Sequence, residues 1–193
     1  MEQHAPYHLL QHPDLFHIGK KTSNVQLVYF GGLRKYKRPE YAIRVYENLY
    51  EKLDNLKLII VGNGPVLNTI KDEIKGKNYN IEFTGRIDYE ELAKKIRESW
   101  VNLHFSVTEG WGYSIMEASA SGTPTVAFKV PGVVDTIIND YNGFLVNNIN
   151  EFTDKILDII DHINNFAINS RKFAENFTWE MTAELWYKFL NGK

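Results

Sequence analysis

The residues best suited to chemistry are two glutamates, Glu109 and Glu117, on either side of the segment Gly110-Trp111-Gly112-Tyr113. The preceding residues, 100–106, are typical of a buried strand, and residues 114–121 favour a helix that begins near Gly112. A helix N-terminus offers unpaired N–H groups and a partial positive charge, and glycines let a ligand approach the backbone closely. The pattern therefore predicts a diphosphate-binding turn between two carboxylates.

The composition sets broad limits on what this chain does. It has 193 residues, of which 44% are hydrophobic, which suits one large domain with its own core. A net charge of −2 and an isoelectric point near 6.3 argue against a nucleic-acid surface, which needs a basic surplus on one face. The absence of cysteine excludes disulfides, thiolate metal sites and thiol nucleophiles, and we expect a cytoplasmic protein.

Two further kinds of site are not expected. No apolar run approaches the roughly 20 residues of a transmembrane helix, so membrane contact is expected to be peripheral at most. His4, His8 and His12 have the spacing of one helical face, as a metal site would require. Because Pro6 and Pro13 interrupt that helix, we expect no metal there.

Short apolar runs alternate with longer amphipathic ones from Val25 onward. The predicted strands are 26–30, 56–61, 80–84, 100–106, 125–128 and 144–146, and the predicted helices are 39–53, 66–74, 89–98, 112–121 and a short one at 133–138. Closing helices follow, with apolar positions at helical spacing that we expect in the core: Phe152, Ile156, Ile159, Ile160, Ile163, Leu185, Trp186, Phe189 and Leu190. This alternation predicts an α/β fold, a doubly wound parallel sheet. Such sheets bind ligands at the carboxyl ends of their strands, where the glycine-containing loops at Gly31, Gly62, Gly85 and Gly110 are expected to meet.

A series of short motifs carries a resemblance to a known family. In order they are Phe30-Gly31-Gly32-Leu33 with Lys37-Arg38-Pro39, Val61-Gly62-Asn63-Gly64-Pro65, Phe83-Thr84-Gly85-Arg86, Glu109-Gly110-Trp111-Gly112 with Glu117-Ala118, Ser121-Gly122-Thr123-Pro124, Pro131-Gly132 and Asn142-Gly143. Together they resemble the C-terminal, donor-binding domain of retaining glycosyltransferases of the group 1 family. The resemblance implies a Rossmann-like lobe of the GT-B architecture, in which two such domains face each other.

The resemblance also implies a division of the chain. Residues 25–193 would be the nucleotide-sugar-binding domain, and residues 1–24 a linker or N-terminal segment. Because only about 24 residues precede the first strand, we expect the N-terminal acceptor domain to be absent and this donor-binding half to be inactive alone.

Roles for particular residues follow from matched motif positions. Glu117 would accept hydrogen bonds from the ribose hydroxyls, and Glu109 would act at the donor sugar, where a carboxylate stabilises positive charge at the anomeric carbon. Lys37 would neutralise the leaving phosphate, so that Glu109 and Lys37 are the catalytic pair and no metal or other cofactor is needed. The expected donor-binding residues are Gly31, Gly32, Arg34, Gly62, Arg86, Ile87, Gly110, Trp111, Gly112, Tyr113, Ser114 and Glu117.

Some assignments remain open at this point. The family commonly has arginine where this chain has Gly32, and either Arg34, which we favour, or Arg38 would replace that cation. Trp111 and Tyr113 would either line the sugar site or serve only in packing, and His104 would either line the crevice or be a core histidine.

The predicted function is transfer of a hexose from a nucleoside-diphosphate sugar to a glycan or lipid acceptor, with retention of configuration. The nucleotide base would be contacted near Arg86 and Ile87, and UDP-sugars and GDP-sugars both fit. One alternative is a non-catalytic module or subunit that binds nucleotide sugars, for which the missing cation at Gly32 would be natural. A weaker one is another GT-B enzyme, such as a sugar-nucleotide epimerase.

Overall fold

The computed structural model of the chain describes residues 15–192. Its strands are β1 (Gln26–Phe30), β2 (Lys57–Val61), β3 (Ile81–Gly85), β4 (Val101–His104), β5 (Thr125–Phe128) and β6 (Gly143–Val146). Its helices are α1 (Glu40–Tyr50), α2 (Leu67–Glu73), α3 (Tyr89–Glu98), α4 (Tyr113–Ala120), α5 (Asn150–Asp161), α6 (Ile163–Ala174) and α7 (Trp179–Leu190), and a 3₁₀ turn spans Lys35–Lys37. The three N-terminal histidines lie outside the described residues.

All six strands run parallel in one sheet with the order β3-β2-β1-β4-β5-β6. The chain winds outward from β1 in one direction and then, from β4, in the other, so strand order reverses between β1 and β4. In open sheets of this kind the crevice at that reversal binds the ligand. The predicted α/β, Rossmann-like doubly wound sheet is therefore confirmed.

Both faces of the sheet are buried, as the continuous apolar runs predict. On β1, Leu27 and Tyr29 belong to one core cluster, whereas Val28 and Phe30 belong to the cluster on the other face. Alternate side chains of a strand point to opposite faces, so one apolar run supplies both cores.

The helices begin where the sequence predicts them, within one or two residues. Helix α3 spans the predicted residues, and the Asp88 side chain caps it by accepting a hydrogen bond from the Glu91 N–H at 2.8 Å. Helix α4 is short, and its residues from Ile115 to Ala120 are all buried.

The predicted helix at residues 133–138 is wrong, because turns cover residues 131–136 and residues 137 and 138 have no regular structure. The Asn142 side chain binds two backbone groups of this segment. Its amide donates to the Thr136 carbonyl at 3.0 Å, and its oxygen accepts from the Ile138 N–H at 2.7 Å. Side chains of this type compete with helical hydrogen bonding.

The closing helices divide into a buried part and an exposed part. Phe152, Ile156 and Ile159 of α5 are fully buried, as expected. In α7, however, Trp186, Phe189 and Leu190 are 60%, 75% and 74% exposed, so their assignment to the core is wrong. Helical spacing of apolar residues predicts a face but not what covers it.

The segment before β1 packs against the domain. The Phe16 side chain is 1% exposed in the core, and its carbonyl accepts a hydrogen bond from Arg171 at 2.7 Å. Lys21 donates to the Arg97 carbonyl at 3.2 Å and to the Thr123 hydroxyl at 2.8 Å, and burial lowers its pKa to about 7. Residues 15–24 therefore form part of the same folded unit as the sheet.

Across residues 15–192, none of the helices combines the length and the apolar character needed to cross a membrane.

Candidate functional site

A cavity of about 430 Å³ opens at the carboxyl ends of the strands, where strand order reverses. It is lined by Phe30, Gly31, Gly32, Lys37, Val61, Gly62, Asn63, Arg86, Ile87, Tyr89, Leu92, Glu109, Tyr113, Ser114 and Glu117. These residues come from the ends of β1 and β2, from the loops after β1, β2, β3 and β4, from the 3₁₀ turn, and from α3 and α4.

The floor of the cavity is formed by the turns after β1 and β2. Gly62 has a φ of 127°, and a Cβ atom there would lie 2.0 Å from the Gly31 carbonyl oxygen. Only glycine allows the two turns to come this close. The bare backbone of Gly31, Gly32 and Gly62 consequently faces the cavity.

The start of α4 forms one wall. Gly112 caps the helix with a φ of 73°, which favours glycine, and Tyr113 and Ser114 in the first turn line the cavity. A helix N-terminus with its first N–H groups directed toward a cavity favours an anion such as a phosphate.

Glu109 is held by three donors on a single carboxylate oxygen. Its Oε1 accepts hydrogen bonds from Lys37 Nζ at 2.7 Å, Ser106 Oγ at 2.6 Å and His104 Nε2 at 3.2 Å. Burial by itself raises the pKa of Glu109, but the bonds from His104, Lys37 and Ser106 outweigh it and lower the pKa to about 2. Glu109 is therefore an anion at any working pH.

The Pro131-Gly132 turn packs against the backbone of Glu109. A Cβ atom on Gly132, whose φ is 79°, would lie 2.0 Å from the Glu109 carbonyl oxygen. The Glu109 N–H also donates to the Pro131 carbonyl at 3.4 Å. The backbone position of Glu109 thus depends on a glycine in the loop after β5.

Glu117 has the opposite electrostatic environment. Its side chain lies on α4 with 8% exposure, and burial raises its pKa to about 7. The carboxylate lies close enough to Tyr89 that, after burial, its charge contributes to raising the pKa of that phenol. Glu117 therefore belongs to the Tyr89 side of the cavity, whereas Glu109 belongs to the Lys37 side.

The two ends of the cavity differ in chemistry. Arg86 and Ile87 follow β3, and with Tyr89 and Leu92 on the helix after it they form an end that combines one cation with apolar and aromatic side chains. Glu109 follows β4, three strands away in the sheet, which corresponds to about 14 Å at the usual strand spacing. The crevice is long enough for an extended ligand with an apolar end, a charged middle and a polar end.

Most of the predicted site residues meet at this cavity. It is lined by Gly31, Gly32, Lys37, Gly62, Arg86, Ile87, Glu109, Tyr113, Ser114 and Glu117, whereas Arg34, Gly110, Trp111 and Gly112 are outside the lining. Trp111 instead packs edge to face against Phe177 at 5.3 Å and against Tyr113 at 5.7 Å.

Sequence reasoning missed several residues of the site. Phe30, Val61, Asn63, Tyr89 and Leu92 line the cavity without having been assigned to it, and Ser106 binds Glu109. Phe30, Val61 and Asn63 fall within the motifs already described, so their position at strand ends was the available signal. Nothing in the local sequence around Tyr89 or Leu92 distinguishes them from ordinary residues of an amphipathic helix.

The two arginines considered as replacements for a cation at Gly32 point in different directions. Arg38 stacks on the rings of Tyr41 and Phe128, at 5.6 and 5.9 Å from their centroids. The side chain of Arg34 instead lies over Gly32, 3.8 Å from where a Cβ atom would be. Of the two, Arg34 is therefore the arginine that lies beside Gly32.

Residues 15–192 contain no group of three or more histidine or carboxylate side chains arranged to hold a metal ion. Among these residues, the cationic groups that line the cavity are the side chains of Lys37 and Arg86.

The fold and the cavity are those of a donor-binding domain of the GT-B type. Residues 12–176 match the model of the Glycosyl transferases group 1 family, and the chain belongs to this family.

Curated relatives extend well beyond the matched region. The chain is 30% identical over 179 residues to a glycosyltransferase of Methanocaldococcus jannaschii, covering 88% of this chain and 45% of that protein. It is 32% identical over 166 residues to the poly(ribitol-phosphate) alpha-N-acetylglucosaminyltransferase of Staphylococcus aureus, covering 81% of this chain and 33% of that one. It therefore spans less than half the length of these relatives.

Solved structures support the same conclusion. A crystal structure of a variant of S. aureus TarM with fondaparinux, α-GlcNAc-glycerol and UDP is similar, with a TM-score of 0.80 and 27% identity over 91% of this chain and 37% of TarM. The C-terminal domain of LpcC, a group 1 family protein of Francisella tularensis, is similar in fold, with a TM-score of 0.74 and 21% identity over 85% of this chain and 96% of that domain. The chain thus has the fold of a C-terminal domain of this family.

Proposed function

We propose that the cavity binds a UDP-sugar and that this domain, together with an acceptor-binding domain, transfers the hexose to a glycan or lipid acceptor with retention of configuration. The observation that carries this proposal is the separation of two carboxylates with opposite environments, Glu109 beside Lys37 and Glu117 beside Tyr89, along one crevice.

The order of groups along the cavity matches the order of groups in the donor. The base lies at the end near Arg86 and Ile87, and Glu117 accepts hydrogen bonds from the ribose hydroxyls. The diphosphate lies over Gly31 and Gly32, opposite the start of α4, and the sugar reaches Glu109.

The reaction breaks the bond between the anomeric carbon and the diphosphate and forms one to an acceptor hydroxyl oxygen. The hydroxyl proton passes to the departing diphosphate. Lys37 and the α4 N-terminus stabilise the negative charge that develops on the leaving group. Ionised Glu109 stabilises the positive charge at the anomeric carbon. These side chains supply the neutralisation, so the proposed transfer is independent of metal.

We favour uridine as the base because a related protein was crystallised with a uridine nucleotide. TarM, to which this chain is 27% identical, was crystallised with UDP and α-GlcNAc-glycerol. A UDP-hexose or a UDP-N-acetylhexosamine is therefore the proposed donor, and GDP-mannose is the alternative to be tested.

The test is calorimetric binding of UDP, UDP-glucose, UDP-N-acetylglucosamine, GDP and GDP-mannose to this chain with chelator present. Uridine nucleotides should bind, and Glu117→Ala should weaken that binding by about tenfold or more, the usual effect of losing a charged hydrogen-bond partner. Glu73→Ala is the matched control, since Glu73 is an exposed carboxylate on α2 and does not line the cavity.

Binding of guanosine nucleotides alone would change the donor and keep the class of function. Binding of none of the five, by a chain that is folded by circular dichroism, would contradict the proposal.

A second candidate function is a nucleotide-sugar-binding module without transfer activity, favoured by the missing cation at Gly32. The two are separated by supplying an acceptor-binding domain from a group 1 relative and measuring UDP release in the presence of acceptor. Acceptor-dependent release supports the transferase, and binding without release supports the module.

A further inference from the structure

The carboxylate of Glu109 is restrained through one of its two oxygens. Lys37, His104 and Ser106 all donate to Oε1. Three donors on this one oxygen limit how far the carboxylate can shift or rotate. The three donors are of different kinds, because one is the ammonium of a lysine in the 3₁₀ turn, and the others are a ring nitrogen and a hydroxyl on and just after β4.

The proton of His104 can be placed on a particular nitrogen. The His104 side chain is 6% exposed, and its Nδ1 is buried without a hydrogen-bond partner among residues 15–192. A neutral imidazole has one N–H and one bare nitrogen, and a carboxylate oxygen only accepts. Nε2 faces such an oxygen at 3.2 Å, so Nε2 carries the proton. A proton on Nδ1 would bury an N–H group without an acceptor, which is costly.

The geometry points to His104 as a positioning residue that, with Ser106, holds the Glu109 carboxylate in place when Lys37 turns from it to the diphosphate of the donor. This inference rests on the proposed function. A lysine ammonium is mobile and has three donors, so a diphosphate competes with Glu109 for it. The hydroxyl and the imidazole are neutral and partly enclosed, and a diphosphate has less to gain from them. The Glu109 carboxylate would then stay directed toward the sugar while Lys37 leaves it and binds the diphosphate.

A positioning role predicts an effect on the sugar but not on the nucleotide. The readout is the ratio of the Kd for UDP-N-acetylglucosamine, or UDP-glucose, to the Kd for UDP, measured calorimetrically with this chain. His104→Asn and His104→Leu should raise this ratio about tenfold, as expected for loss of a hydrogen bond to a charged group, with the Kd for UDP changed less than about twofold.

Two amide variants form a matched pair. The amide nitrogen of His104→Gln reaches the position of Nε2 and should keep the ratio within about threefold of the wild type. The shorter side chain of His104→Asn carries the same amide but cannot reach Glu109. Ser106→Ala, a second donor to the same oxygen, should raise the ratio in the same direction. Melting temperatures establish that each variant is folded.

Histidine labelled with ¹⁵N tests the tautomer directly. The signals absent from His104→Gln belong to His104, and they should show a protonated Nε2 and a bare Nδ1. The opposite tautomer would overturn the inference.

The outcomes distinguish the inference from the function beneath it. If the wild-type chain binds neither UDP nor the UDP-sugars, the proposed function fails and the inference fails with it. If the wild type binds them but the ratio is unchanged in folded His104→Asn, or if UDP and UDP-sugar affinities fall together, the function stands and the positioning role is overturned.

Discussion

Glu109 and Glu117 are the same kind of side chain in opposite electrostatic environments. Three donors keep Glu109 ionised, whereas burial brings the pKa of Glu117 to about 7. If Glu117 must accept hydrogen bonds from a ribose, its ionised form is the better acceptor. Nucleotide binding should therefore strengthen as pH rises through 7, and this dependence should come from Glu117 rather than Glu109.

Replacing Glu117 by glutamine should increase stability at high pH while weakening nucleotide binding. The folded-state pKa of Glu117 is raised from 4.5 to about 7, so the folded chain holds a proton that the unfolded chain releases. The contribution of Glu117 to stability is consequently greatest below about pH 4.5 and falls as pH rises to about 7, by at most about 3 kcal/mol. In Glu117→Gln this loss should disappear from urea denaturation curves between pH 5 and 8. An unchanged pH dependence, equal to that of Glu73→Gln, would contradict the burial argument.

Arg34 is predicted to supply the cation missing at Gly32. Arg34→Ala should weaken UDP binding about tenfold, the usual size of a charge-assisted contact to phosphate. Adding Gly32→Arg should restore it, because Gly32 lacks a positive φ and a Cβ there meets Arg34 only at ordinary contact distance. Lys52→Ala, an exposed cation beyond the end of α1, is the control and should leave calorimetric affinity unchanged. Full affinity in Arg34→Ala would rule out this role.

At the scale of elements, the loop after β5 determines where the loop after β4 lies. The Pro131-Gly132 turn packs against the backbone of Glu109, and parallel strands β4 and β5 are neighbours in the sheet. The position of Glu109 is thus set by two consecutive strand ends. A site on rigid strand ends holds its geometry better than one on a long loop.

Gly132→Ala should destabilise the chain and weaken binding of UDP-sugars. The new Cβ would lie 2.0 Å from the Glu109 carbonyl oxygen, so backbone must move in addition to the strain of a positive φ. Gly76→Ala is a matched control, because Gly76 has a similar φ of 81° but nothing within 4 Å of a Cβ atom. We expect Gly76→Ala to lower the free energy of unfolding by about 1 kcal/mol, from backbone strain alone. We expect Gly132→Ala to lower it by about 3 kcal/mol, and urea denaturation measures both changes. Equal losses would show that the Glu109 contact does not constrain the loop.

At the scale of the whole molecule, residues 15–24 pack against the rest of the domain and form part of it. Phe16 fills the core on one face of the sheet, and Arg171 of α6 holds its carbonyl. The segment before β1 therefore joins α6 to the centre of the sheet.

Phe16→Ala should cost about 3–5 kcal/mol, as for other fully buried phenylalanines. Ile18→Ala, two residues away and 43% exposed, should cost much less. Urea denaturation of both variants measures the difference. Similar small losses in the two would mean that the segment does not contribute to the folded core.

The sequence by itself was sufficient for the order of the elements and the place of the cavity. Apolar periodicity predicted the six strands, and glycines at their ends marked the turns that meet at the crevice. Glu109, Glu117 and Lys37 could be assigned to the site because they occupy motif positions beside those turns. These are local patterns, and secondary structure follows local patterns.

Only the tertiary structure decided which atoms meet. Lys37 and Glu109 are 72 residues apart in the chain. No periodicity in the sequence predicts that Lys37, His104 and Ser106 all donate to the same oxygen of Glu109. What packs against each element also decides the environment of Glu117, the turns at residues 131–136 and the exposure of Trp186, Phe189 and Leu190 on α7. Periodicity shows which side of an element faces inward, whereas pKa values and contacts depend on neighbours that are distant in the chain.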